Sequence, residues 1–409
     1  MEVGACGGRG VPEWRAALAQ LARLQSASLA TCVDYNKSIS AWQRGRHWKK
    51  ASGLLTSLIL HQIQLDVIAF NVCITGYEKA SLWHRALALF ADLLCADLRP
   101  TVVTYSATIS ACEKSRAWQV ALALLKEAVH KSSADVYTFS AAISALEKAG
   151  LWQEALVLLD HMELCQVQPN LVTFNAVISA CYRGREWQQA LVVLGRLDLE
   201  RLAPDLFTFG AAVSACESYS RWEVAIALLA QLQSQRLQAD RITCNAAISA
   251  CEKAKQWPAA LQLLPSSDAD VISYSAVISA CGPLQWELAL QLFTECRRTV
   301  QFADVVLHNA CISACEKATR WSEALEILRS MRSHQMNATL ITYTAASSSC
   351  ARASEWRQTL QLIREHEEER LQPTVTTYGG AISACEGAGE WQQALVLLVK
   401  LKSSIGSWM

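Results

Sequence analysis

The chain has 409 residues, with 37 Lys and Arg against 37 Asp and Glu, so its formal net charge is zero, and 52% of it is hydrophobic. That length exceeds one ordinary core and implies either two or three domains or a repeat array. No uninterrupted apolar run reaches the ~18 residues of an obvious membrane-spanning helix, and the neutral balance argues against a nucleic-acid binder until the charges are placed in space.

Residues 1–31 read as an N-terminal segment holding one degenerate half-repeat, Trp14-Arg-Ala-Ala-Leu. It lacks the strongly basic, Ser-rich character of a good transit peptide. From residue 32 onward one pattern recurs: ISALEKAGLWQEALVLL around Ile143, ISACYRGREWQQALVVL around Ile178. Eleven of the fourteen tryptophans fall on one position of it, namely Trp48, Trp83, Trp118, Trp152, Trp187, Trp222, Trp257, Trp286, Trp321, Trp356 and Trp391, most of them 35 residues apart. Self-similarity at such a period is the signature of a repeat architecture. The units are 32–66, 67–101, 102–135, 136–170, 171–205, 206–240, 241–270, 271–304, 305–339, 340–374 and 375–409.

Each unit predicts two helices. In unit 5 Phe174, Val177, Ile178 and Cys181 follow the i, i+3, i+4, i+7 spacing of an amphipathic helix, and Trp187, Ala190, Leu191 and Leu194 share one face of a second. Pro100, Pro169, Pro204 and Pro373 stop the preceding helix just before the next unit. A hairpin of this size cannot bury its apolar face alone, so the units must stack. The tryptophan then reads as structural, opening the second helix and filling space between layers. Unit 7 has only 30 residues, with Pro258 in the first turn of its second helix and Pro265-Ser-Ser cutting that helix short, and unit 8 is irregular around Gly282-Pro283. A change of superhelical pitch is expected between them.

Sixteen cysteines occur without a CxxC pair, eight of them at one equivalent place: Cys112, Cys181, Cys216, Cys251, Cys281, Cys315, Cys350 and Cys385. That spacing suits a small buried apolar side chain in a reducing compartment, not a zinc site or a disulfide ladder. Eight scattered histidines show no HxE-plus-CxxC deaminase pattern. Nuclease carboxylate pairs and phosphate-loop glycines are not found either. The expectation is a recognition module, not an enzyme, with no cofactor and no metal.

The 35-residue period, the starts VVTYS (Val102–Ser106) and LVTFN (Leu171–Asn175), the EALxLL second helix and the terminal Pro-Asp or Pro-Asn resemble pentatricopeptide repeats over residues 32–409. The ISACEK-plus-Trp variant is similar to arrays of algal and plant organelle proteins. Tetratricopeptide repeats fit less well, because their early WxxLG and Tyr are not found. The resemblance implies an all-α, right-handed superhelical solenoid of about eleven two-helix hairpins. It further implies a single-stranded RNA partner, other RNA-processing proteins as associates, a monomer without membrane contact, and an organellar setting in chloroplast or mitochondrion.

Three rows of residues carry the functional expectation. The fifth residue of each unit is Asn36, Asn71, Ser106, Ser140, Asn175, Gly210, Asn245, Ser275, Asn309, Thr344 and Gly379. Nine are small and polar within a helix, where such residues are mediocre formers, so helix stability does not explain them. Their donors and acceptors suit a base edge; a shared hydrogen bond between repeats is the alternative. The last residue is Asp66, Thr101, Asp135, Asn170, Asp205, Asp240, Asp270, Asp304, Thr339, Thr374 and finally Met409. Helix capping explains those residue types about as well as base reading does.

By the family's pairing rule, Asn with Asp implies uracil for Asn36–Asp66, Asn175–Asp205 and Asn245–Asp270. Ser with Asp implies guanine for Ser106–Asp135 and Ser275–Asp304, and Ser140–Asn170 implies adenine. Asn71–Thr101 and Asn309–Thr339 imply a pyrimidine, while Gly210, the Thr344–Thr374 pair and Gly379 depart from the pattern. Units 1–8 would thus read U-n-G-A-U-n-U-G. The third row is basic: Arg44, Lys79, Lys114, Lys148, Arg183, Lys253, Lys317 and Arg352. It is expected to track phosphates, or to answer the helix dipole. Glu113, Glu147 and Glu316, one residue earlier, should point about 100° away and leave the stripe locally positive.

Helical scaffolds that bind proteins form the competing class. Such a groove would vary more in residue type and carry apolar anchors.

Overall fold

A computed structural model describes residues 66–264, 269–282, 285–299, 304–334, 336–368 and 374–406. Residues 1–65, with the sequence-predicted Asn36 and Arg44, lie outside the described residues, as does Met409. Twenty helices and no strand occur among the described residues.

The chain divides into two compact bodies, Met1–Pro204 and Asp205–Met409. In the first, the hairpins are Val67–Lys79 with Trp83–Cys95, Val102–Lys114 with Trp118–His130, Val136–Ala149 with Trp152–Leu164, and Leu171–Arg183 with Trp187–Leu199. In the second they are Leu206–Glu217 with Trp222–Ser234, Arg241–Lys253 with Trp257–Leu263, Val271–Ala280 with Trp286–Thr299, Val305–Lys317 with Trp321–Ser333, Leu340–Arg352 with Trp356–Glu368, and Val375–Gly387 with Trp391–Gly406. Within each body a first helix packs on the first helices before and after it and on its own partner. The backbone of a second helix packs on its own first helix and the next one, and successive second helices meet through long side chains, as where Arg196 reaches Asp160 at 2.8 Å and Arg332 reaches Glu365 at 2.8 Å. The hairpins therefore stack as a solenoid.

The local causes repeat. Every described first helix starts at a side-chain cap, and four of them have a full capping box with Thr at the third helical position. The turn into the second helix is closed by a residue in the left-handed region, such as Ser81, Arg116, Gly150 or Arg185. The residue after it bonds back across the helix end: Leu82 N to the Tyr77 carbonyl at 3.0 Å, Glu186 N to the Cys181 carbonyl at 2.9 Å. Gly150 accepts this conformation freely, whereas Arg116 and Arg185 hold it against the ~1–2 kcal/mol that a Cβ costs there.

The core is built from equivalent positions. Phe70, Tyr105, Phe139, Phe174, Phe209 and Tyr343, each the fourth residue of its unit, are fully buried. All eight equivalent cysteines are buried too. Burial pushes the Cys181 and Cys350 thiols up to about 12 and those of Cys112, Cys216 and Cys251 to about 11, so they stay protonated at neutrality. The described tryptophans of the row, Trp83 to Trp391, are half-buried between layers, apart from Trp391, which is exposed. Trp152 lies against the turn of the following unit so closely that a Cβ on Gly184 would stand 2.2 Å from Cδ1 of its indole. The same register places the Arg320 guanidinium 4.3 Å over the Trp286 ring.

Candidate nucleic-acid interface

The last-residue row is, in every described case, a row of N-caps. Asp66, Thr101, Asp135, Asn170, Asp205, Asp240, Asp270, Asp304, Thr339 and Thr374 each precede a first helix and accept from its backbone. Capping thus occupies one oxygen of each. In Asp135 it is Oδ1, which takes the Thr138 amide at 2.9 Å and its hydroxyl at 2.6 Å.

Fifth-residue side chains sit at the seam between successive first helices. Ser140, Asn175 and Ser275 are buried, while Asn71, Ser106, Asn245, Asn309 and Thr344 are half-buried and Gly379 is exposed. The bond between repeats is present: Thr104 Oγ1 donates to Asn71 Oδ1 at 2.6 Å, Ser273 Oγ to Asn245 Oδ1 at 2.5 Å, and Thr342 Oγ1 to Asn309 Oδ1 at 2.6 Å. Ser140 Oγ meets Thr173 Oγ1 at 2.8 Å. Ser106, Ser275 and Thr344 instead donate to carbonyls of their own helix. At Gly210 an added Cβ would lie 3.1 Å from Thr243 Oγ1.

The amides of these asparagines are thereby oriented. With Oδ1 held by a hydroxyl, Nδ2 turns to the last residue of the same unit: Asn71 to Thr101 Oγ1 at 3.3 Å, Asn245 to Asp270 Oδ2 at 3.3 Å. The two residues that the sequence pairs are neighbours in space in these units. The buried hydroxyl at the third position, Thr104, Thr173, Ser273 or Thr342, is the hinge of this arrangement, because it touches both its own cap and the preceding unit's fifth residue. Sequence reading passed over it as part of the VTY start; its recurrence as Thr or Ser at a fully buried place was the available signal.

A second row was also missed. In units 2–10 the second residue is large, apolar and 53–74% exposed: Ile68, Val103, Tyr137 and Val172 in the first body, Phe207, Ile242, Ile272, Val306 and Ile341 in the second. Side chains of this kind normally go inside. In the second body one open cavity of about 420 Å³ brings the rows together, lined by Asn309, Glu316, Ile341, Thr344 and Thr374 among others.

The basic row departs from expectation. Lys114 pairs with Glu78 at 2.9 Å, Lys148 with Glu113 at 2.9 Å and Arg183 with Glu147 at 3.3 Å. In the second body Lys253 pairs with Glu217 at 2.9 Å and Arg352 with Glu316 at 3.6 Å. Glu113, Glu147 and Glu316 each form their ion pair with a cation of the next unit, because stacking brings that cation alongside. The stripe is therefore a ladder of ion pairs, not a locally positive surface. Burial raises the Glu147 and Glu316 carboxyls despite the neighbouring guanidinium. Lys79 and Lys317 are exposed, and no ion pair of either occurs among the described residues. Lys317 follows the shortened unit, whose acidic position holds Gly282.

A stacked array of such hairpins is by class a helical-repeat solenoid. A model of the PPR repeat family matches residues 65–114 and 134–183, and one of the PPR repeat matches 172–201 and 306–336. Over those residues the chain carries pentatricopeptide repeats. It is similar in fold to the crystal structure of the pentatricopeptide repeat protein PPR10 from maize, at 18% identity and a TM-score of 0.51, over 96% of this chain and 72% of that one. PPR10 in complex with an 18-nt psaJ RNA element is similar at 20% identity and a TM-score of 0.46, over 94% of this chain and 61% of that one. No curated protein matches the chain.

Proposed function

We propose that the chain binds single-stranded RNA sequence-specifically, one nucleotide per hairpin, as a recognition module in organellar RNA processing, stability, editing or translation. The observation that carries this reading is the coincidence of two rows at the seam between first helices. An oriented amide or hydroxyl beside a capping carboxylate supplies a base-edge reader. The exposed apolar second residue supplies a face on which a base can rest. The resemblance assigns the bases as U-n-G-A-U-n-U-G along units 1–8.

Binding of that octamer and of scrambled octamers, each titrated across salt, tests the reading. Tighter binding of the designed sequence by at least tenfold supports it, whereas equal affinity removes base reading.

One observation favours the competing class. The exposed apolar row is what a peptide groove would use for anchors. No binding to any RNA at low salt would transfer the rows to a protein partner.

A further inference from the structure

The ion-pair ladder has a direction. Its glutamates lie at the floor, with side chains 18–26% exposed, and its cations lie above them, 32–53% exposed. Each carboxylate belongs to one unit and each cation to the next, so Glu113 serves Lys148 while Lys114 of the same helix is served by Glu78. A cation at the end of a first helix gains from the helix dipole without any carboxylate. The acidic row is therefore not needed to keep the basic row in place, and it cancels charge that would otherwise face the groove.

We infer that the acidic row is an electrostatic brake on the proposed RNA site: Glu78, Glu113, Glu147, Glu217 and Glu316 hold the cations of the following units in neutral pairs and suppress non-specific phosphate binding, so that discrimination rests on the base-reading pairs. This rests on the RNA reading above. Affinity for nucleic acid grows with the number of phosphates neutralised, and that part carries no sequence information. A chain of zero net charge with its groove cations already paired forgoes most of it. Lys79 and Lys317 are the members of the row with no ion pair among the described residues; Lys317 follows the unit with Gly282 at the acidic position, and Glu252 acts on it only at longer range.

The test replaces the five glutamates with glutamine in the full chain and compares salt titrations of RNA binding with those of the unaltered chain. A single E113Q variant serves as the small step, and circular dichroism melting checks the fold of both. With five cations released, the slope of log affinity against log salt should steepen by roughly 3.5, and by about 0.7 for E113Q, the single-strand value per phosphate. Scrambled octamers should gain as much affinity at low salt as the designed one, shrinking the ratio between them. A folded variant with unchanged slope and unchanged scrambled-octamer affinity overturns the brake while leaving base reading intact. Failure of the unaltered chain and of the variants to bind any RNA overturns the RNA reading, and the brake with it.

Discussion

Units 3–5 and units 7–8 are built from the same pattern and differ in what survives truncation. Between residues 102 and 199 every helix has 13 or 14 residues, and the ladder Glu113–Lys148, Glu147–Arg183 runs unbroken. Further on, the second helix of unit 7 shrinks to Trp257–Leu263 and the first helix of unit 8 stops at Ala280, before the acidic and basic positions. The ladder is lost there. The polar seam is not: Asp270 still caps, and Asn245 still bonds to both Asp270 and Ser273. The lesson is one of location. The seam depends on the first two turns of a first helix and its cap, which the deletions spare, whereas the ladder depends on the last turn, which they remove.

The largest effect should appear in hydrogen exchange. Amides of 257–264 and 271–280, where the second helix of unit 7 is cut to seven residues, should exchange roughly 100-fold faster than those of 136–199. Equal protection would show that unit 7 is not the weak place. Next comes the interlayer contact of the regular stack. G184A should cost about 2 kcal/mol in chemical denaturation, because the Trp152 indole must move. G195A, at a helical site with nothing within 4 Å of the new Cβ, should gain roughly 0.5–1 kcal/mol.

Alkaline pH gives a third comparison. Thiols raised from 9.0 to about 11 or 12 on folding hold their protons longer in the folded chain than in the unfolded one. Their contribution is complete below pH 9 and is lost as pH rises through the folded values, so the melting temperature should fall steadily from pH 9 to pH 11. Alkylation of the native chain at pH 8 should reach the exposed Cys95 long before Cys112 or Cys181. An effect of similar size to that of G195A is expected of R116G, which relieves a left-handed arginine and should add about 1 kcal/mol.

Much of this was legible in the sequence. The tryptophan period located the second helices, and the recurring Asp, Asn or Thr located the caps, because both are local: a cap is one residue and its next three. The cysteine row read correctly as core for the same reason. The ladder was not legible within one helix. Glu113 and Lys114 are adjacent in sequence and diverge on the helix, and the true partners stand 35 residues apart, where only stacking joins them. The role of Thr104 and Thr173 was hidden likewise, since each answers two groups of the unit before, the cap of its own helix 3 residues back and that unit's fifth residue 33 residues back.

The central claim is that fifth and last residues jointly select a base, and unit 4 offers the most direct measurement. Ser140 and Asn170 are assigned adenine, and the double substitution S140N/N170D recreates the pair found at Asn245 and Asp270. Competition binding with octamers varied only at the fourth nucleotide should show preference moving from A to U by at least tenfold, about 1.4 kcal/mol. A folded double variant whose preference at that nucleotide stays where it was would contradict the account.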